Sequence, residues 1–222
     1  MGSTMMKEAG KTDIESQPSA ALLRRAYGLE SADEARVLYR DWASSYDTHL
    51  EQGLGYRAPA QIAAMLVEVL DDHTAMILDV GCGTGLVGAC LAAHGFNTID
   101  GLDFSPEMLA VASQKSAYRN LLEADLEKPL KLTDASYDAA ISCGTFTHGH
   151  VGAQALDRIF QLLRPGGVFA CTIHRDLWVD QGFCHRIEAL EEGGVISTEK
   201  MTDQPYFDGA DADGKFCLFR KV

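Results

Sequence analysis

The chain has 222 residues, enough for one domain with a full core, and its 46% hydrophobic and 8% aromatic content is that of an ordinary globular protein. No apolar run reaches the ~20 residues that a membrane helix needs, and no charged-then-apolar leader pattern opens the chain. A formal net charge of −13 argues against a polyanionic partner, because nucleic-acid binders displace counterions with a basic surface and no basic run here is longer than two residues, as at Arg24-Arg25.

Taken in order, residues 1 to 19 are polar and rich in Met, Ser and Lys, and read as a disordered tail. Residues 20–72 read as helical. Ser31 with Glu34 three positions on marks a helix start, and Val37, Leu38 and Trp42 give that helix an apolar face. A second helix follows Pro59, with Ile62, Met65, Leu66, Val69 and Leu70 at helical spacing. From 73 to the end, strands and helices alternate. Met76–Val80, Thr98–Leu102, Tyr118–Leu122, Tyr137–Ser142 and Val168–Ile173 read as strands, and Leu86–His94, Pro106–Gln114 and Ala153–Leu163 as helices between them. Near-continuous apolar strands joined by helices imply a parallel, doubly wound sheet covered on both faces. Val179–Glu192 reads as one helix. The last two strands, Val195–Met201 and Phe216–Lys221, lack a crossover helix and are expected to be antiparallel.

The cysteines Cys82, Cys90, Cys143, Cys171, Cys184 and Cys217 are scattered without a CxxC pair, which fits reduced thiols in a cytoplasmic setting. Asp208, Asp211 and Asp213 lack the spacing of a calcium loop and read as a solvated hairpin tip; no metal site is expected.

The most informative stretch runs from Met76 to Gly85. A short apolar run ends in Asp79, and Gly81, Gly83 and Gly85 follow before a helix. Glycines let backbone approach a ligand closely, and free amides at a helix start favour anionic or polar groups. The chemistry points to a nucleotide-type cofactor, and two candidates compete. Gly83 to Gly88 fits GxGxxG, with Asp103 twenty residues on, as a nicotinamide dinucleotide site requires. Against it stand the earlier pair Asp79 and Gly81, the helices before the first strand, and the antiparallel closing pair.

Those three features fit the other candidate. Asp79–Gly85 as DxGxGxG, Asp103–Leu109 as an acid-then-helix motif, Ala124-Asp125-Leu126 as an acidic loop and Leu163–Gly167 as a tight turn stand in order, and together they resemble the class I S-adenosylmethionine-dependent methyltransferases from about Val37 to the end. Tyr39–Asp47 and Gly144–Gly152 resemble, more narrowly, the Williams–Beuren chromosome-region methyltransferase-like subgroup, which has no settled acceptor. The resemblance implies a Rossmann-like seven-stranded, mostly parallel α/β sheet with an antiparallel last strand, under an N-terminal helical lid. It implies S-adenosylmethionine as cofactor and S-adenosylhomocysteine as product.

By the same resemblance, Asp79, Gly81, Gly83 and Gly85 hold the methionine end of the cofactor, with Cys82 and Thr84 lining the turn. Asp103 takes the ribose hydroxyls. Asp125 and the Leu126 amide take the adenine edge, and Phe104 and Met108 its faces. Gly144 lies beside the cofactor, and Trp42 and Tyr46 share a lid face from which Tyr46 reaches the methionine carboxylate. Thr145, His148, His150 and Tyr206 are expected to face the acceptor. Plainer alternatives stand beside these roles: Asp79 capping a turn, Asp103 at a helix dipole, Met108 in the core, Trp42 and Tyr46 stapling a helix to the sheet.

The donor is already activated, so the protein mainly aligns the acceptor at about 3 Å and excludes water. A base is needed only for a protonated acceptor; His148 suits that duty, with a backbone hydrogen bond as its alternative role. The expected partner is a small-molecule acceptor, with neither nucleic acid nor membrane. A protein or RNA acceptor, or a non-catalytic cofactor-binding module, are the other readings. Oligomeric state and the accepting atom are not legible.

Overall fold

The computed structural model describes residues 18–29, 31–147 and 151–222. Two helices come first, α1 (Pro18–Tyr27) and α2 (Ala32–Trp42). Ser31 caps α2 as its spacing to Glu34 predicts, its hydroxyl accepting from the Glu34 N–H at 3.3 Å. An irregular helical stretch from Ala43 to Gly53 leads to α3 (Ala58–Val67), which carries Pro59 in its first turn. The tail boundary expected at 19 falls inside α1, where Ser19 and Ala20 are buried; residues 1–17 lie outside the described residues.

The alternating part follows the sequence closely: β1 (Ile77–Val80), α4 (Leu86–Ala93), β2 (Ile99–Asp103), α5 (Pro106–Gln114), β3 (Asn120–Glu123), β4 (Tyr137–Phe146), α6 (Ala155–Leu162) and β5 (Leu163–His174). The expected single helix Val179–Glu192 is instead two, α7 (Arg175–Asp180) and α8 (Phe183–Glu192). Gly182 between them has φ +72°, a conformation that ends one helix and starts the next. Then come β6 (Ile196–Gln204) and β7 (Gly214–Lys221).

The strands form one seven-stranded sheet in the order β3-β2-β1-β4-β5-β7-β6. Every pairing from β3 to β5 is parallel, and β7 runs antiparallel to both β5 and β6. Strand alternation divides the core. Leu78 and Val80 of β1 face α6 and α8 with Phe160, Phe169 and Phe183, whereas Ile77 faces α3 and α4 with Ile62, Leu66 and Leu91. A third cluster, Ala26, Ala35, Leu38, Trp42 and Leu50, knits the N-terminal helices together.

Two strands run longer than their apolar runs predict. In β5, Arg164–Gly167 loop out between Leu163 (opposite Tyr137) and Val168 (opposite Ala139), so the tight turn is an excursion within the strand. In β4 the pairing with β5 skips between Ser142 and Phe146. That irregularity frees Cys143, Gly144 and Thr145 from the ladder at the C-terminal end of β4, beside β1, where the sheet's connections reverse direction. Ligands of open α/β sheets bind at such a point.

Candidate functional site

A cleft lies over the C-terminal ends of β1, β2 and β4, the place where ligands of such sheets bind. Its floor begins with the glycine turn. Gly83 has φ +53° and nothing within 4 Å of where a Cβ would be, so the backbone is bare toward the cavity. At Gly81 a Cβ would overlap the Thr145 hydroxyl at 2.2 Å; only glycine lets the β1 turn lie against β4 there. Thr145 in turn donates to the Val80 carbonyl at 3.1 Å. Gly81, Cys82, Gly83 and Thr84 line the cavity, and Gly85, the cap of α4, lies behind them.

Asp103 ends β2 on the cavity wall. Its Oδ2 accepts from the Gly83 N–H at 2.8 Å and its Oδ1 from the Ser105 N–H at 2.9 Å, so one carboxylate ties the glycine turn to the start of α5. Burial raises its pKa against the pull of these amides. Phe104, Met108 and Leu126 supply apolar surface around it. Asp125 is also on the wall. Its Oδ1 accepts from the Glu127 N–H at 3.0 Å, and its Oδ2 pairs with Lys128 at 2.9 Å and Arg36 at 3.4 Å. Burial pushes its pKa up, but the Lys128 contact, the Glu127 amide and Arg36 outweigh it and hold the group below the ordinary carboxylate range.

Asp79 departs from expectation. It shares the α4 face of β1 with Ile77 and lies beneath the turn, off the cavity wall, at 1% exposure. Its Oδ2 accepts from the Tyr118 hydroxyl at 2.7 Å, and its Oδ1 has no hydrogen-bond partner. Burial pushes its pKa up to about 7, with the Tyr118 hydroxyl opposing. The Tyr118 ring also packs on Gly88, where a Cβ would meet it at 2.3 Å. Asp79 therefore braces the turn from behind, with its carboxylate off the cavity wall.

The N-terminal segment covers the cavity. Arg36, Tyr39 and Tyr46 line it. Trp42 does not: it is 2% exposed, its indole N–H donates to His49 Nδ1 at 3.0 Å, and its ring meets Tyr46 edge-on at 4.7 Å. Of the two roles open to Trp42 and Tyr46, Trp42 takes the structural one and supports Tyr46. The segment is tied down by Asp47, whose Oδ1 accepts from the Thr84 hydroxyl at 2.5 Å and whose Oδ2 pairs with Lys115 at 2.6 Å. Lys115 closes the triangle by donating to the Thr84 carbonyl at 2.7 Å.

At the β4 end the wall is Cys143, Gly144 and Thr145 with Tyr56 above them. The Tyr56 hydroxyl lies 3.4 Å from Cys143 Sγ. Its backbone bridges to Phe207, and their rings are 5.1 Å apart. Sequence reading passed over Tyr56, Tyr39, Arg36 and Asp47. Tyr39 shares a helix face with Trp42 and Tyr46 and was detectable by spacing; Tyr56 is placed by a contact 151 positions away and carried no local signal. Tyr206, expected at the acceptor, is 2% exposed and packs on Phe216 away from the wall. His148 and His150 lie outside the described residues; Thr145 and Val151, which flank them in sequence, both line the cavity.

Among the described residues no group of three or more His, Cys, Asp or Glu is placed to hold a metal, and no helix is long and apolar enough to cross a membrane. Residues 78–171 match the methyltransferase domain family. Human methyltransferase-like protein 27 is 33% identical over 181 residues, covering 79% of this chain and 73% of that protein. The 18S rRNA (guanine(1575)-N(7))-methyltransferase of Saccharomyces cerevisiae is 33% identical over 127 residues, which span 52% of this chain but only 46% of its own length. The fold is shared with Burkholderia thailandensis 1,6-didemethyltoxoflavin-N1-methyltransferase, solved with 1,6-didemethyltoxoflavin and S-adenosylhomocysteine, at a TM-score of 0.61 and 21% identity over 86% of this chain and 89% of that one.

Proposed function

Since the chain belongs to the S-adenosylmethionine-dependent methyltransferases, we propose that it methylates a small-molecule acceptor held beneath its N-terminal helices. The observation that carries this reading is the cavity itself: one end has the carboxylates and apolar faces that suit an adenosyl group, and the other, at β4, is roofed by Tyr46 and Tyr56. A roof built from the chain's own helices fits a compact acceptor better than a nucleic-acid strand, and the net charge of −13 points the same way.

The residues present fit the cofactor. A carboxylate offers roughly four acceptor sites, so Asp103 can keep its two backbone bonds and still accept from two ribose hydroxyls. Asp125 and the Leu126 amide would take the adenine edge, and Phe104 and Met108 its faces. The turn from Gly81 to Thr84 would receive the methionine end, with Tyr46 donating to its carboxylate and Gly144 leaving room beside it. Bound S-adenosylmethionine supplies a methyl group already activated on sulfur. The protein's own work is to orient the acceptor, exclude water and, for a protonated acceptor, remove a proton. We assign that last duty to His148 from its place in the chain between Thr145 and Val151.

The test is a methyl-acceptance screen with labelled S-adenosylmethionine against a metabolite library, with total RNA and a protein extract as parallel arms. Label entering a small-molecule fraction supports the reading; label entering only RNA or protein overturns the acceptor class and leaves the cofactor assignment intact.

A further inference from the structure

Asp125 is drawn from two sides. Lys128, three residues along the same loop, is 66% exposed and off the cavity wall, and reaches Oδ2 at 2.9 Å from the solvent side. Arg36 reaches the same oxygen at 3.4 Å from α2, and among the described residues it is the one basic side chain on the cavity wall. The Glu127 N–H takes a site on Oδ1 at 3.0 Å. A carboxylate offers roughly four acceptor sites, about two on each oxygen, so Oδ2 is filled and the remaining place is on Oδ1.

Arg36 is itself held by its surroundings. Its guanidinium carbon stands 5.8 Å from the centre of the Phe104 ring, and Tyr39, one turn along α2, meets that ring edge-on at 6.3 Å. Ala35 and Leu38 are buried among the N-terminal helices, which fixes the face that α2 turns to the site. The planar guanidinium is therefore placed by a ring as well as by a carboxylate, and these are the two groups assigned above to adenine.

We propose that Arg36 is a positioning residue for the cofactor: it draws Asp125 toward the cavity, so that the open place on Oδ1 accepts from the exocyclic amino group of adenine and the site selects an aminopurine. Without Arg36, Lys128 alone holds Oδ2, and the carboxylate is free to turn toward solvent. A carboxylate turned outward no longer reads the amino group, although the ring can still pack on Phe104. This rests on the methyltransferase reading above, in which Asp125 takes the adenine edge.

The experiment measures by calorimetry how wild type and Arg36→Ala bind S-adenosylhomocysteine and its analogue with unsubstituted purine in place of adenine. The wild type is expected to prefer the adenine ligand at least about tenfold, as one hydrogen bond to a charged group allows. Arg36→Ala, an exposed substitution that suits a helix, is expected to bind S-adenosylhomocysteine about three- to tenfold more weakly and the purine analogue within about twofold of wild type, so that the preference shrinks. If Arg36 merely ties α2 to the sheet, both ligands weaken alike and the preference stays. That result overturns the inference, as does a variant that binds both ligands like wild type. A wild type that binds the two ligands equally removes the assignment of Asp125 to adenine, one that binds neither removes the methyltransferase reading, and the inference falls in both cases.

Discussion

At the scale of single residues, the aspartates at the strand ends do different work despite their similar positions in the sequence. Asp103 faces the cavity with acceptor capacity to spare, whereas Asp79 is sealed beneath the glycine turn. Removing a charged acceptor from a buried contact costs about 1.5–3 kcal/mol, so Asp103→Ala should weaken S-adenosylhomocysteine binding roughly ten- to hundredfold by calorimetry. Asp79→Asn should instead act on stability. A carboxyl whose folded pKa is raised to about 7 stabilises the protein fully below its unfolded pKa and loses that contribution as pH climbs toward 7. Urea unfolding of the wild type should therefore show a decline in stability from about pH 4 to about pH 7 that the Asn variant lacks. Equal slopes for the two proteins would mean that Asp79 is not held protonated.

At the scale of elements, two polar knots fix what the sheet presents to the site. Asp100 of β2 accepts from Arg119 at 2.6 and 3.0 Å, from Asn120 of β3 at 2.8 Å and from Tyr137 of β4 at 3.0 Å. Burial opposes ionisation of Asp100, but Arg119, Asn120 and Tyr137 together hold its pKa below the ordinary range. Its contribution is present above the unfolded pKa and is lost as pH falls through the folded one. Asp100→Ala should cost about 2–3 kcal/mol at pH 7 and less in acid, measured by chemical denaturation. The second knot, Asp47 with Thr84 and Lys115, joins the N-terminal segment to the glycine turn. Asp47→Ala should speed limited proteolysis within residues 18–57 and weaken cofactor binding about three- to tenfold, because the turn loses a partner that orders it. Unchanged cleavage and unchanged affinity would show that the segment is held by its apolar contacts alone.

Elements with local signals were legible in the sequence: the glycine turn, the acid ending β2, the Ser31 cap and the alternating strands all depend on neighbours within a few residues. The break at Gly182 was not, because the apolar positions on either side keep helical spacing and hide a left-handed glycine. The free segment of β4 was legible in part: the strand was expected to end at Ser142, with Gly144 and Thr145 at the site, but only the pairing with β5 shows that Phe146 rejoins the ladder. Tyr56, Asp47 and Arg36 belong to the site through tertiary contacts, which no window of sequence contains.

At the scale of the whole molecule, the parallel part of the sheet is joined by the antiparallel β7 and β6, while the N-terminal segment folds back over the ligand edge and brings Tyr39, Tyr46 and Tyr56 to it. The platform was readable from motifs in order; the cover was readable as a helical lid carrying Tyr46, without Tyr39 and Tyr56. We assign the Asp103–Asp125 end of this cavity to the adenosyl part of a sulfonium cofactor. Isothermal calorimetry of wild type and Asp103→Ala with S-adenosylmethionine and NAD tests it most directly. Saturable one-to-one binding of S-adenosylmethionine that the substitution sharply weakens is expected, with none of NAD; tight NAD binding, or S-adenosylmethionine binding indifferent to Asp103, would overturn the assignment.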